Sequence, residues 1–319
     1  MMKKSPFKFP FNEKTRVTWV LLALLVGMVL VFSWTSESFL SRRNFLNIMR
    51  QTAETGMIVI TVAFLVLSRD IDISMGSALG FCCIVLGLML KSGVDMYQAG
   101  FLTILTGAVM GAFSGFLVAG LKLQGMVASA GLLILLRGLC YVLTKGYPVS
   151  GFSDEFLALG RLRFWNVLPL SFTALIVIVV IAHIIMEKTN IGLQITVLGA
   201  NRTTAKFSGI GVDRIKFLLF TANGMMIGFA SFFLLSRMAS AEATTGQGYD
   251  LDILASCLLG GLSLSGSKGN ILSVFLGLMN IGIMRNGFNQ LAIPAIYQDI
   301  VLGVVIALNA ANWVRARRE

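Results

Sequence analysis

The chain has 319 residues, 56% of them hydrophobic and 13% charged, with a formal net charge of +11. Soluble domains carry about 25% charged residues, and a mean hydropathy of +0.83 leaves too little polar surface to enclose a water-soluble core. Apolar runs extend from residue 17 to residue 314 and leave no room for a separate soluble catalytic domain, so 1–319 reads as a single membrane domain.

Lys3, Lys4, Lys8, Lys14 and Arg16 fall in a polar tail, 1–16, ahead of the first apolar run. That run, 17–34, is longer than a signal-peptide core and lacks a small-residue cleavage site after it, so it reads as a retained span. A spanning helix needs about 20 mostly apolar residues. Further candidates follow at 53–68, 74–90, 99–120, 125–143, 167–186, 215–236, 251–264, 271–284 and 297–313. The fold class predicted is all-α, a polytopic transmembrane helical bundle of about ten segments. Segments 53–68 and 251–264 are short, which makes each broken, re-entrant or longer than hydropathy draws it. Irregular backbone survives at membrane depth only where protein covers it or water reaches it, so short segments mark a candidate pathway.

Lys188, Arg202, Lys206, Arg214 and Lys216 gather in or beside one mid-chain polar stretch, and Arg315, Arg317 and Arg318 near the end. Basic residues held in alternate loops set topology. They put both termini and the 187–214 loop in the cytoplasm, and the 144–165 and 237–250 loops, with Asp154, Glu155, Glu242 and Asp250, on the other side. Arg42, Arg43 and Arg50 run against that rule. The same placement excludes nucleic acid as a partner, because no basic face with stacking aromatics forms.

Between two apolar runs lies Ser68-Arg69-Asp70-Ile71-Asp72-Ile73-Ser74, followed by Met75-Gly76-Ser77. Charges here are costly unless they sit at the interface or face a cavity. Asp72 or Ser74 is a candidate cap for the next helix; Asp70, Asp72 and Ser74 are equally candidates to line or gate a path. The two roles are compatible. Gly107, Gly111 and Gly115 make small-x-x-x-small steps suited to close helix packing, here within the chain rather than as a dimer face, and Gly76 and Gly80 repeat the spacing. Arg137, inside an apolar run, requires a carbonyl, carboxylate or water. Cys82, Cys83, Cys140 and Cys257 lie in apolar runs without a C-x-x-C pair, as packing residues do.

The stretch from Gly199 through Asn201, Arg202, Thr203, Thr204, Ala205, Lys206 and Phe207 to Gly209 reads as a short cytoplasmic helix. Asn201 or Thr203 is its cap and Gly209 its stop. Asn223, Asn280, Asn286, Gln298 and Asp299 either bond helices together or meet a polar solute, while Phe288, Asn289 and Tyr297 are candidate pathway residues at an outer loop. Residues 260–269 fail the phosphate-loop spacing, since Ser267 stands where a lysine is needed. With one histidine, His183, and no nucleophile–base pair or metal signature, the chain reads as a transport protein, not an enzyme.

From about Phe39 onward the sequence resembles the permease subunits of bacterial ATP-binding-cassette sugar importers of the ribose/galactose/xylose type. Ile71, Asp72, Ser74, Gly76 and Ser77 fit that family's G-G-I-D-L-S-x-G-S segment, with Arg69 and Asp70 in place of the glycine pair. Leu136-Arg137-Gly138 fits an L-R-G element. Gly199, Asn201, Ala205, Gly209, Ile210, Val212, Arg214 and Lys216 fit G-x-N-x-x-A-A-x-x-x-G-I-x-V-x-R-x-K, the coupling helix that docks into the ATPase subunit, with Thr204 for the first alanine. Ser240-Ala241, Gly246, Tyr249, Leu251-Asp252, Gly260-Gly261 and Gly266 anchor a further match, in which Asp250 and Ser267 depart from the pattern, and Asn286-Gly287 and Gln298 continue it. The resemblance implies a permease of the bacterial cytoplasmic (inner) membrane that pairs with a second permease copy. It implies a cytoplasmic ATP-binding subunit and a periplasmic or tethered sugar-binding protein as partners. No cofactor would be held by this chain; ATP and Mg belong to the ATPase. A permease for a nucleoside, a branched-chain amino acid or an autoinducer is the alternative, and a secondary transporter lies further off.

Overall fold

A computed structural model describes residues 13–316 apart from 166, 264, 265, 267 and 268, with side chains described from 17 to 307. The helices are α1 (Glu13–Thr35), α2 (Arg42–Leu67), α3 (Met75–Lys91), α4 (Met96–Gly115) with a π-helical turn at Phe116–Gly120, α5 (Gly125–Thr144), α6 (Asp154–Leu159) and α7 (Leu170–Lys188). They continue with α8 (Asn190–Ala200), α9 (Arg202–Phe207), α10 (Val212–Met238), α11 (Tyr249–Leu259), α12 (Ile271–Gln290) and α13 (Ala295–Ala316). Two-residue strands form two small antiparallel pairs: β1 (Val149–Ser150) with β4 (Ser240–Ala241), and β2 (Arg163–Phe164) with β3 (Leu168–Pro169).

The molecule is an all-α bundle, and among the described residues 7 helices are long and apolar enough to cross a membrane: α1, α2, α4 with its π turn, α5, α7, α10 and α12. α3, α8 and the described part of α13 are apolar but shorter. Hydropathy misplaced two elements. α2 starts at Arg42, well before the expected 53, because Arg42, Arg43, Asn44, Asn47, Arg50 and Gln51 dilute the apolar signal of its first turns. The 187–214 stretch holds two helices instead of one short one, and Gly199 belongs to the end of α8, not to α9.

α2 forms the buried axis of the bundle; Met57 through Ile60 and Val62, Ala63 and Leu65 are sealed from solvent. α4 and α10 meet backbone to backbone. A Cβ on Gly107 would overlap the Gly224 carbonyl, one on Gly111 the Phe220 carbonyl, and one on Gly224 the Gly107 carbonyl. Small residues allow that approach where lipid supplies no hydrophobic drive between helices. The glycine series thus packs within the chain, as its spacing suggested. Gly76 and Gly80 face a loop instead: their missing side chains admit the carbonyls of Gly246 and Thr245.

Candidate functional site

At one end of the bundle, α9 is closed by Asn201, whose Oδ1 accepts from the N–H groups of Thr203 at 2.9 Å and Thr204 at 3.1 Å. Thr203 is therefore inside the helix and Asn201 is its cap. Ala205 is fully buried against Leu198 and Val212, so the helix is seated on one side only. Arg202, Thr203, Thr204 and Lys206 face outward, and the Phe207 ring stands 88% exposed. Gly209 ends the turn at φ +77°. Asp213, in the first turn of α10, receives Lys122 at 2.5 Å and Arg202 at 3.4 Å, which joins the α4–α5 loop to α9.

Behind this surface the α2–α3 break is wired to the same end. Lys216 Nζ lies 2.7 Å from Asp70 Oδ2, with only 8% and 6% of the two side chains exposed. Arg69, at φ +65°, packs its stem over Gly266, which also rests on Gly199. Deeper in, Asp72 is buried among neutral donors. Its Oδ1 accepts from the Ser74 N–H at 2.8 Å and the Ser74 hydroxyl at 2.6 Å, and its Oδ2 from Asn223 Nδ2 at 3.1 Å. Thr61 Oγ1 donates to Asn223 Oδ1 at 2.8 Å, and the Ile73 N–H to Ser129 Oγ at 3.1 Å, so α2, α5 and α10 all converge on the break.

The expected cap of α3 needs correction. Ser74 makes no side-chain cap bond, and Asp72 binds Ser74 instead of the helix's free N–H groups. The carboxylate that receives a first-turn N–H is Asp250, 174 residues away, which accepts from Gly76. Asp250 opens α11 after a non-helical segment, 242–248, pressed against α3. Arg137 Nη1 holds that segment by donating to the carbonyls of Ala243 at 2.6 Å and Thr245 at 2.9 Å, the partners its burial required.

At the opposite end of the bundle from α9, three polar knots tie helices together. Glu54, almost fully buried, receives Arg237 Nε and Nη2 at 2.7 Å each. Arg285 bridges Asp252 at 2.6 Å and Asp299 at 2.8 Å, linking α11, α12 and α13. Asn286 and Asn44 exchange side-chain bonds at 2.8 and 2.9 Å. Gln298 is buried and donates to Asn289 Oδ1 at 2.8 Å; Phe288 packs edge-on against Phe32, and Tyr297 is exposed. The candidate pathway residues therefore fall into two groups. Asp70, Asp72, Ser74 and Asn223 cluster around the break, whereas Asn286, Phe288, Asn289, Tyr297 and Gln298 sit together near the α12–α13 turn. Asn280 bonds the Leu21 carbonyl and so joins α12 to α1. Glu54, Arg237, Thr61 and Arg285 were missed by sequence reasoning, although lone charges at the ends of long apolar runs were a signal for some of them; Lys216 was noted as a basic residue of the coupling match, but not as the partner of Asp70. The 260–269 loop lies partly outside the described residues.

Residues 44–309 match the family model described as the permease component of a branched-chain amino acid transport system. The chain belongs to that permease family. It is 31% identical to the ribose import permease protein of Haemophilus influenzae, over 98% of this chain and 96% of that one. It is 34% identical to the ribose import permease protein of Bacillus subtilis, over 88% of each. An autoinducer 2 import system permease protein of Photorhabdus laumondii is 32% identical over 78% of this chain and 75% of its own. No solved structure gives a significant match.

Proposed function

We propose that this permease is the membrane subunit of an ATP-driven importer in a bacterial cytoplasmic membrane, carrying a monosaccharide delivered by a binding protein. The observation that carries the reading is the continuous link from an exposed, half-seated helix to a buried polar break. α9 offers Phe207 and its polar face to a partner, and Asp70–Lys216 joins the start of α10 to the segment that holds Asp72. A force applied to α9 thereby reaches the α2–α3 break. Gly199, Asn201, Arg202, Thr203, Thr204, Ala205, Lys206, Phe207 and Gly209 form the ATPase-coupling region in this reading. ATP and Mg are bound by the separate ATPase, and a second permease copy completes the passage.

The same reading counts ten crossings, with α3, the broken 241–259 segment and α13 added to the seven long helices, in one domain over 1–319. Residues 1–16 and 187–214 are then cytoplasmic. The group at the break and the group at the α12–α13 turn lie toward opposite ends of the solute's path. Nucleotide drives transport only through its differential affinity for the two states of the complex. The relatives named for ribose favour a pentose or related sugar; the relative named for autoinducer 2 keeps the alternative open.

The test is uptake by proteoliposomes holding the permease, its ATPase and its binding protein, with ribose, other sugars, nucleosides, branched-chain amino acids and autoinducer 2 offered in turn. ATP-dependent entry of a sugar is expected. Entry without ATP or ATPase would overturn the mechanism, and entry of another class alone would replace the substrate.

A further inference from the structure

Both oxygens of Glu54 are taken by Arg237, yet the other charges acting on Arg50 beside it are Arg163 and Arg161, both cations. Arg50, Arg161 and Arg163 have no carboxylate in contact among the described residues, and Arg50 Nε is buried without a hydrogen-bond partner. Gly160 rests on the backbone of Ser236 and Arg237, which places Arg161 next to the ion pair. Arg161 and Arg163 line an open cavity of about 560 Å³ together with Asp154, Leu157, Ala158 and Leu162. The lining carries one net positive charge and an apolar wall.

Beside the cavity, Phe164 and Trp165 stack at 5.1 Å, with Trp165 86% exposed. α7 starts immediately after this hairpin and turns Ile176, Val177, Val180, Ile181 and Ile184 outward. An exposed aromatic pair above an outward apolar face is the pattern of the membrane interface, where phosphates lie. Guanidinium groups bind phosphate oxygens in pairs. We propose that this arginine cluster holds the phosphodiester of an anionic membrane lipid, with the headgroup in the cavity and the acyl chains along α7. A single net charge in the lining suits a monoanionic phosphodiester better than a free phosphate dianion. The adjoining lipid-facing helix favours a lipid over an acidic protein. The proposal is independent of what the permease carries.

The experiment compares phosphatidylglycerol with phosphatidylcholine of the same acyl chains, added to delipidated full-length protein and counted by native mass spectrometry. The wild type is expected to prefer phosphatidylglycerol. Arg161→Gln with Arg163→Gln should weaken that binding by about fivefold for each arginine removed, leaving phosphatidylcholine unchanged. Both side chains are exposed, so an unaltered thermal unfolding curve is expected; should the pair unfold, Arg163→Gln alone gives the same reading at about fivefold. Lys91→Gln with Lys145→Gln, cations outside the cluster, should lose nothing. Equal binding by wild type and variant, an equal loss in the lysine control, or displacement by millimolar inorganic phosphate would each overturn the lipid assignment. So would a loss confined to the affinity of an acidic partner protein.

Discussion

Asp70 stands where the resembled family carries glycine, and its buried partner Lys216 makes the substitution consequential. Two charges out of water stabilise each other only when both are present, and removing one leaves the other uncompensated at a cost of about 3–5 kcal/mol. Lys216→Met should therefore lower the thermal unfolding midpoint sharply in detergent. Adding Asp70→Asn should restore most of it, because a neutral pair carries no stranded charge. A double variant as unstable as the single would show that Lys216 acts through something other than Asp70. Asp72 differs in kind: its acceptors are filled by Ser74 and Asn223, which are neutral, so Asn223→Leu is expected to weaken the break without exposing a lone cation. Which charges meet was not legible in the sequence. Glu54 and Arg237 lie 183 residues apart, and Asp250 and Gly76 174, so neither spacing nor hydropathy links them.

Among the elements, the long apolar helices were legible because about 20 apolar residues admit few other fates in a membrane protein. Those that escaped did so for physical reasons. The first turns of α2 carry polar residues at its outer end, and α8 is only 11 residues long and opens the stretch read as a loop. The short helix α9 was recognisable from its Asn cap and glycine stop. Asn201→Ala should cost that helix about 1 kcal/mol, seen as faster hydrogen exchange over 202–207 and unchanged exchange in α10. At the α4–α10 crossing, Gly224→Leu should abolish a monodisperse protein on size-exclusion chromatography, since its side chain meets the backbone of Gly107 and Gly111. Gly131→Leu, on α5 with nothing within 4 Å, should be tolerated. Similar behaviour of the two would mean that the crossing gives way.

For the whole molecule, the topology has a direct chemical test. All four cysteines are buried, so an impermeant maleimide meets little background. Lys206→Cys is expected to label only in inside-out vesicles, and Glu242→Cys only in right-side-out ones; the reverse would turn the bundle over. The α4–α10 contact has a mechanical consequence. α10 runs about 40 Å at 1.5 Å per residue, and two helices locked main chain to main chain bend far less than one. They act as a beam with one end beside α9 and the other at Arg237. A small tilt at the α9 end therefore arrives at the far end as a lateral stroke, undissipated by side-chain repacking along the way. The yielding parts are the joints around the beam: the 68–74 break, and the 242–248 segment, which meets the first turns of α3 through bare glycine.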